Sequence, residues 1–202
     1  MEIATSAAAE RNKQPIAEQL LKLLPVDGKV LEIAAGSGQH TACFAAAMPG
    51  IFWQPTEPQE SGLASIRARR AESALANFGI PHRLDVLQAD WQQPCDYDAV
   101  LCINMIHISP WETTPALFAG AARHLSHEGS GLVVLYGPYR EGGQHTAPSN
   151  EAFEGWLKSL DPRYGVRNLE EVEAIADAAG FTRVGLTRMP ANNLLLAFRR
   201  RG

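Results

Sequence analysis

Gly36 and Gly38 lie in the stretch Val30-Leu31-Glu32-Ile33-Ala34-Ala35-Gly36-Ser37-Gly38-Gln39-His40, and their spacing suits ligand binding. An apolar run ends in an acid and breaks into a loop of small residues, the pattern of a strand that delivers a binding turn. Glycines let the backbone curve tightly and approach a ligand, and the following Ala42, Phe44, Ala45 and Ala46 suit a helix starting at the turn. A nucleotide-like ligand would then rest against the helix N-terminus. Glu32 adds a charge preference: at the strand end it can pair with a cationic amino group, whereas it would repel a pyrophosphate.

The dinucleotide pattern G-x-G-x-x-G wants a third glycine for close helix packing, and Thr41 stands there instead. Both departures favour S-adenosylmethionine (SAM), which carries an ammonium, over NAD, which carries a pyrophosphate. A two-glycine loop also fits an ordinary turn between a strand and a helix, so the surrounding elements must discriminate.

Those elements alternate. Gln14 to Leu24 has helical spacing in Ile16, Leu20, Leu21, Leu23 and Leu24, and Pro25-Val26-Asp27-Gly28 stops it. Strands are predicted over 29–33, 51–54, 83–88, 97–103 and 132–136, with helices over 39–47, 61–78 and 111–125 between them. Such alternation implies a parallel sheet covered on both faces by right-handed crossovers. Asn168-Leu169-Glu170-Glu171 reads as a helix start capped by Asn168, running to Ala179 and ending at Gly180. The last two strands, 181–188 and 194–199, are joined only by Met189-Pro190-Ala191-Asn192-Asn193, too short for a parallel crossover. The expected fold is an α/β, Rossmann-like, doubly wound and mainly parallel seven-stranded sheet finished by a C-terminal antiparallel strand.

The chain has 202 residues, 46% hydrophobic and 20% charged, enough for one substantial core and one domain over 1–202. Within that domain, 1–24 forms an N-terminal helical segment. A net charge of −4 gives no overall attraction to nucleic acid. Cys43, Cys95 and Cys102 lack metal-ligand spacing, and no other motif indicates a metal. There is no apolar run of signal-peptide or membrane-span length. A soluble, cytoplasmic protein with reduced cysteines is expected, binding neither nucleic acid nor membrane; its oligomeric state is left open.

A mainly parallel sheet closed by an antiparallel strand resembles the class I SAM-dependent methyltransferases from Leu24 to the end of the chain. Their acid-x-Gly-x-Gly-x-Gly loop appears as Glu32-x-Ala34-x-Gly36-x-Gly38, with Ala34 in the first glycine position. The resemblance implies that Ala34, Ala35, Gly36 and Gly38 line the methionine part of the cofactor, with Glu32 near its amino group. It places Glu57 on the ribose hydroxyls, since a carboxylate offers two acceptors to a vicinal diol. It also places Asp90 on the adenine amino group, with Trp91 either stacked on the ring or capping the sheet. At the end of the fourth strand, Asn104, Met105 and His107 should face cofactor or substrate. His107 is equally a general base or a core histidine.

More narrowly, the chain resembles the methyltransferase-like 26 family, also called domain of unknown function 938. The strings that carry this likeness are Glu10-Arg11-Asn12-Lys13-Gln14-Pro15-Ile16, Ala34-Ala35-Gly36-Ser37-Gly38-Gln39-His40, Trp53-Gln54-Pro55-Thr56-Glu57-Pro58, Asn104 to Trp111, Tyr136-Gly137-Pro138-Tyr139, Thr146-Ala147-Pro148-Ser149-Asn150 and Met189-Pro190-Ala191-Asn192-Asn193-Leu194. They run in order along nearly the whole chain.

A small-molecule methyl acceptor is expected where long loops meet the sheet edge. The polar, Gly-rich stretch from Tyr136 to Asn150, with Arg140 and His145, reads as a substrate lid within 137–167. Arg11, Asn12, Lys13 and Arg163 add donors for an anionic group. Candidate bases are His107, Tyr139 and His145. Two other readings stand beside the methyltransferase: a non-catalytic SAM-binding or interaction module of the same fold, and an NAD-dependent oxidoreductase, which Thr41, Glu32 and the terminal hairpin oppose.

Overall fold

A computed structural model describes residues 3–94, 96–126 and 131–202; Cys95 lies outside them. Helix α1 (Ala7–Leu23) precedes β1 (Gly28–Ile33), α2 (Gln39–Ala47), β2 (Ile51–Glu57), α3 (Glu60–Ser73), β3 (His82–Arg83) and β4 (Ala99–Ile103). Then follow α4 (Thr113–His124), β5 (Leu132–Gly137), β6 (Tyr139–Glu141), β7 (Gln144–His145), α5 (Pro148–Leu160), β8 (Arg167–Asn168), α6 (Leu169–Ala178), β9 (Phe181–Met189) and β10 (Asn193–Arg200). The seven-stranded sheet has the order β3-β2-β1-β4-β5-β10-β9. Its first five strands are parallel, and β10 runs antiparallel to both β5 and β9.

Strand periodicity explains the layers. Val100 and Cys102 of β4, Val133 and Leu135 of β5 and Leu194, Leu196 and Phe198 of β10 point into one core with α4 and α6. Their neighbours Ala99, Leu101, Ile103, Val134 and Leu195 point into the other, against α1, α2 and α3. A strand buried on both sides reads as a continuous apolar run. Reversal of strand order at β1 and β4 opens a crevice at their carboxyl ends, where open α/β sheets bind ligands.

Three local differences from the sequence expectations have physical causes. The strand expected over 83–88 pairs only at His82–Arg83, because the Asp85 carboxylate accepts the Leu87 N–H at 3.0 Å and turns the chain out of the sheet. The helix expected over 61–78 ends at Ser73, with Ala74 at φ 53°, so that Phe78 can fold back and pair beside Trp53. The expected loop from Tyr136 to Asn150 is ordered: it finishes β5, forms the β6–β7 hairpin and starts α5. With β8 beside β6, these residues make a second, three-stranded sheet in the order β7-β6-β8.

Asn168 is the N-cap of α6, yet its side chain donates to Glu171 Oε1 at 2.9 Å instead of bonding the helix backbone. Cys43 and Cys102 are free thiols, and burial pushes the Cys102 thiol up to about 12. Among the described residues no helix is long and apolar enough to cross a membrane.

Candidate functional site

The loop between β1 and α2 winds through three left-handed residues, Ala34 (φ 54°), Gly36 (φ 59°) and Gly38 (φ 75°). Glycine suits this conformation and Ala34 is strained in it. A Cβ on Gly36 would meet no protein atom within 4 Å, whereas one on Gly38 would press Ile66 of α3 at 3.3 Å. Gly36 thus leaves the outer face of the loop open, and Gly38 allows close packing beneath it.

Two carboxylates flank the loop. Glu57, at the end of β2, accepts the Gly36 N–H at 3.0 Å and the Gln59 N–H at 3.3 Å. Burial raises its pKa, and those two backbone bonds oppose the rise. The Glu57 stem lies so close to Gly62 that a Cβ there would approach its Cγ to 2.5 Å. Glu32 is 1% exposed and takes one side-chain hydrogen bond, from Thr41 Oγ1 at 2.6 Å. Burial pushes its pKa up to about 7, against the Thr41 bond. Thr41 therefore does more than replace a glycine: it positions the buried acid.

The N-terminal segment lies over this loop. Gln39 Oε1 accepts from the Ser6 N–H, and Arg69 donates to the carbonyls of Ser37 at 3.0 Å and Ala4 at 2.7 Å. Sequence spacing singles out Thr41 at the third glycine position, whereas the contacts of Gln39 and Arg69 with the N-terminal segment are distant in sequence and leave no local signal.

A cavity of about 660 Å³ is lined by residues of α1, the β4 and β5 ends, α5 and the β9–β10 turn. Arg11, Asn12, Asn104, Tyr136 and Asn150 supply its polar groups, and Pro15, Pro138, Phe153 and Pro190 much of its apolar wall. Asn104 sits at φ 61° just beyond β4, and Asn150 Nδ2 donates at 2.9 Å both to Thr146 Oγ1 and to the Asn192 carbonyl. Five of the strings singled out in the sequence thus meet around one cavity.

Several expected site residues stand elsewhere. His107 is fully buried, and burial foremost, with the Arg167 charge second, lowers its pKa to about 3. Its ring meets Tyr139 edge-on at 4.9 Å, and neither residue lines the cavity. His107 thus lies buried away from the cavity, and the base role expected of these two is not supported by their positions. His145 Nε2 lies 2.7 Å from Glu154, which also holds Arg140 and Lys158. Trp91 is 2% exposed, stacked on His124 and pressed on Gly120, which leaves no open face for adenine. Met105 is buried in the same core and its carbonyl accepts from Ser109 Oγ. Asp90 is exposed, with Oδ1 accepting the Gln92 N–H at 2.8 Å.

Of the expected anion-binding cations, only Arg11 lines the large cavity. Lys13 pairs with Glu10 at 2.6 Å. Arg163 holds Asp161 through two nitrogens, at 3.0 and 2.7 Å, and lies with Arg140 around a separate cavity of about 380 Å³.

The model of the family described as protein of unknown function (DUF938) matches residues 3–200. The chain belongs to the DUF938 family. This DUF938 protein is also similar in fold to solved methyltransferases. The SAM-dependent methyltransferase SibL, in its apo form, is 20% identical with a TM-score of 0.79, over 97% of this chain and 56% of that one. An O-methyltransferase family protein from Burkholderia thailandensis is 16% identical with a TM-score of 0.82, over 96% and 58%. An O-methyltransferase family 2 protein from Planctomyces limnophilus, solved with apigenin, is 18% identical with a TM-score of 0.79, over 96% and 60%. The DUF938 chain spans a little over half the length of these structures. At such identities the likeness establishes the Rossmann-like methyltransferase fold.

Proposed function

We propose that this DUF938 protein is a SAM-dependent methyltransferase acting on a small molecule, in the methyltransferase-like 26 grouping and in the cytoplasm. The observation that carries this reading is the pair of carboxylates, Glu32 and Glu57, buried at the open glycine loop with no cation among the described residues bonded to either. A buried carboxylate is costly unless paired, and a ligand bearing an ammonium and a ribose diol satisfies both. Gly36 adds the close backbone approach that such a ligand needs.

SAM, when bound, supplies an activated methyl group. Glu32 would face its amino group across the loop made by Ala34, Ala35, Gly36 and Gly38. Glu57 would accept from the ribose hydroxyls, and Asp90, whose carboxylate is exposed beyond β3, from the adenine amino group. The 660 Å³ cavity receives the acceptor molecule. Its apolar walls suit a flat apolar body, and Arg11 offers a charge for an anionic group. Its lining includes no carboxylate or imidazole, so what these residues contribute is binding, orientation and exclusion of water. Pro138, Ser149, Asn150 and Phe153 of the 137–167 segment line that cavity, so the segment would act as its lid.

Calorimetric titration with SAM, its demethylated product and NADH tests the assignment. Wild-type protein should bind SAM and the product, and Glu57→Ala should weaken both by about 30- to 100-fold, the worth of charge-assisted bonds to a diol. Binding of NADH in place of SAM, or SAM binding indifferent to Glu57→Ala, would overturn it.

A further inference from the structure

Asn150, in the first turn of α5, is 4% exposed and lines the 660 Å³ cavity. Its side-chain nitrogen donates at 2.9 Å both to Thr146 Oγ1 and to the Asn192 carbonyl. A carbonyl oxygen only accepts, so the atom beside it is the amide nitrogen, and turning the amide over would set oxygen against oxygen. Thr146 Oγ1 donates its own proton to the Tyr139 carbonyl at 3.3 Å, which leaves it an acceptor toward Asn150. Both N–H groups of Asn150 are thus occupied, and among the described residues none donates to its Oδ1.

Asn193, at the start of β10, repeats the arrangement. Its Nδ2 donates to the carbonyls of Pro190 at 3.1 Å and Ala191 at 3.2 Å, and its Oδ1 likewise takes no bond from a described residue. The turn before it is held in a strained form. Ala191 and Asn192 are both left-handed, at φ 56° and 58°, and Asn192 Nδ2 is tied to Ser149 Oγ at 3.1 Å. Ser149, Asn150, Pro190, Ala191 and Asn193 all line the cavity. This wall therefore presents two amide oxygens whose orientation the chain has already fixed, whereas Arg11 on the α1 wall offers only donors.

We propose that Asn150 is a specificity-determining residue of this cavity: its fixed Oδ1 accepts a hydrogen bond from the bound molecule, which carries a hydroxyl or N–H group there in addition to an anionic group for Arg11. The inference rests on the reading of the cavity as the acceptor-molecule site and deepens it by naming the substrate class. A molecule with a halogen or an ether oxygen in that place leaves a buried amide oxygen unpaired, and the site rejects it for that reason. Asn193, less buried, adds to the same preference.

Phenolic carboxylates of two lengths, para-hydroxybenzoate and para-hydroxyphenylpropionate, are titrated by calorimetry against their para-fluoro counterparts at neutral pH, where the phenol keeps its proton. In the wild type, the pair that binds better should favour the hydroxyl by about tenfold or more. Asn150→Ala should abolish that preference, whatever it does to the affinity of both members, and a merely structural role for Asn150 would leave the preference in place. Should Asn150→Ala not fold, NMR of the isotope-labelled wild type reads the same point. The Asn150 side-chain amide resonances should shift with the hydroxyl member of the pair and stay in place with the fluoro member. Equal affinity for both members in the wild type, an undiminished preference in Asn150→Ala, or binding of none of the four probes would overturn the inference. SAM titration of the same proteins separates the two readings: SAM binding beside any of those outcomes leaves the methyltransferase assignment standing, and its absence beside an intact hydroxyl preference strikes that assignment alone.

Discussion

Two regions at the carboxyl edge of the sheet bury carboxylates in opposite ways. Around Arg140, Glu154 is 7% exposed at its side chain and is gripped by Arg140, His145 and Lys158. Burial works to raise its pKa, but the Lys158 hydrogen bond and the Arg140 and Lys158 charges outweigh that and lower it. Around the glycine loop, Glu32 and Glu57 are also buried, no cation among the described residues is bonded to them, and both pKa values are raised. The first carboxylate is held charged by cations of the chain; the second pair is pushed toward the protonated form. Formal charge in the sequence cannot tell these apart. Arg140 and His145 read as site residues from a polar, Gly-rich stretch, whereas the structure holds both on Glu154 of α5.

The largest test of this contrast is the pH dependence of Glu32. Its ordinary pKa is 4.5 and its folded value is about 7, so the folded protein binds the extra proton. Stability is therefore fully present below the unfolded value and falls as pH rises from about 4.5 to about 7, by about 3 kcal/mol as an upper figure. Glu32→Gln should remove that slope and leave the ligand-free protein more stable at pH 7.5, read from urea midpoints at several pH values. SAM binding at pH 6.5 should release roughly half to one proton in the wild type, and none from this site in Glu32→Gln, as calorimetry in two buffers of different ionisation heat reports. A flat stability profile in the wild type would dissolve the distinction between the two regions.

Glu154→Gln makes the same chemical change in the balanced cluster, and the sign should reverse. A lowered carboxylate contributes stability above its unfolded pKa, and that contribution is lost as pH falls through the folded value. The substitution should cost about 1–2 kcal/mol at pH 7, discounted because Lys158 is half exposed and Arg140 partly so. SAM affinity should not change. If Glu154→Gln weakened SAM binding as Glu57→Ala does, the cluster would belong to the ligand site after all.

The sheet was legible because its signals are local and redundant: apolar runs, Gly and Pro punctuation and a turn too short for a crossover fix β1, β4, β5 and the β9–β10 hairpin. The glycine loop was legible for the same reason. What could not be read is set by contacts distant in sequence. Asp85 ends β3 with its own side chain, Phe78 leaves the α3 line to reach Trp53, and Trp91 is captured by Gly120 and His124 of a later helix. His107 illustrates the limit most clearly. Its strand-end position fits a base and a core residue equally, and the packing of Tyr139 and Arg167 around it comes from contacts distant in sequence.

Ala34 offers the smallest and most local probe of the contrast. It holds φ 54° where glycine would be unstrained, between a buried acid and the open face of Gly36. A non-glycine residue in the left-handed region carries about 1–2 kcal/mol of strain, and glycine returns about 0.4–1 kcal/mol of that through the greater freedom of its unfolded chain. Ala34 also packs against the core below it, so its methyl group has some worth. The balance predicts that Ala34→Gly stabilises the protein by about 0.5 kcal/mol, a small rise in urea midpoint at unchanged slope. A clear loss of stability would mean that the methyl contact outweighs the strain, and that this loop is held by its packing to the same degree as the Glu154 cluster is held by its charges. A gain would mean that the backbone strain is held in place by its neighbours, with Gly36 tied to Glu57 on one side and Thr41 tied to Glu32 on the other.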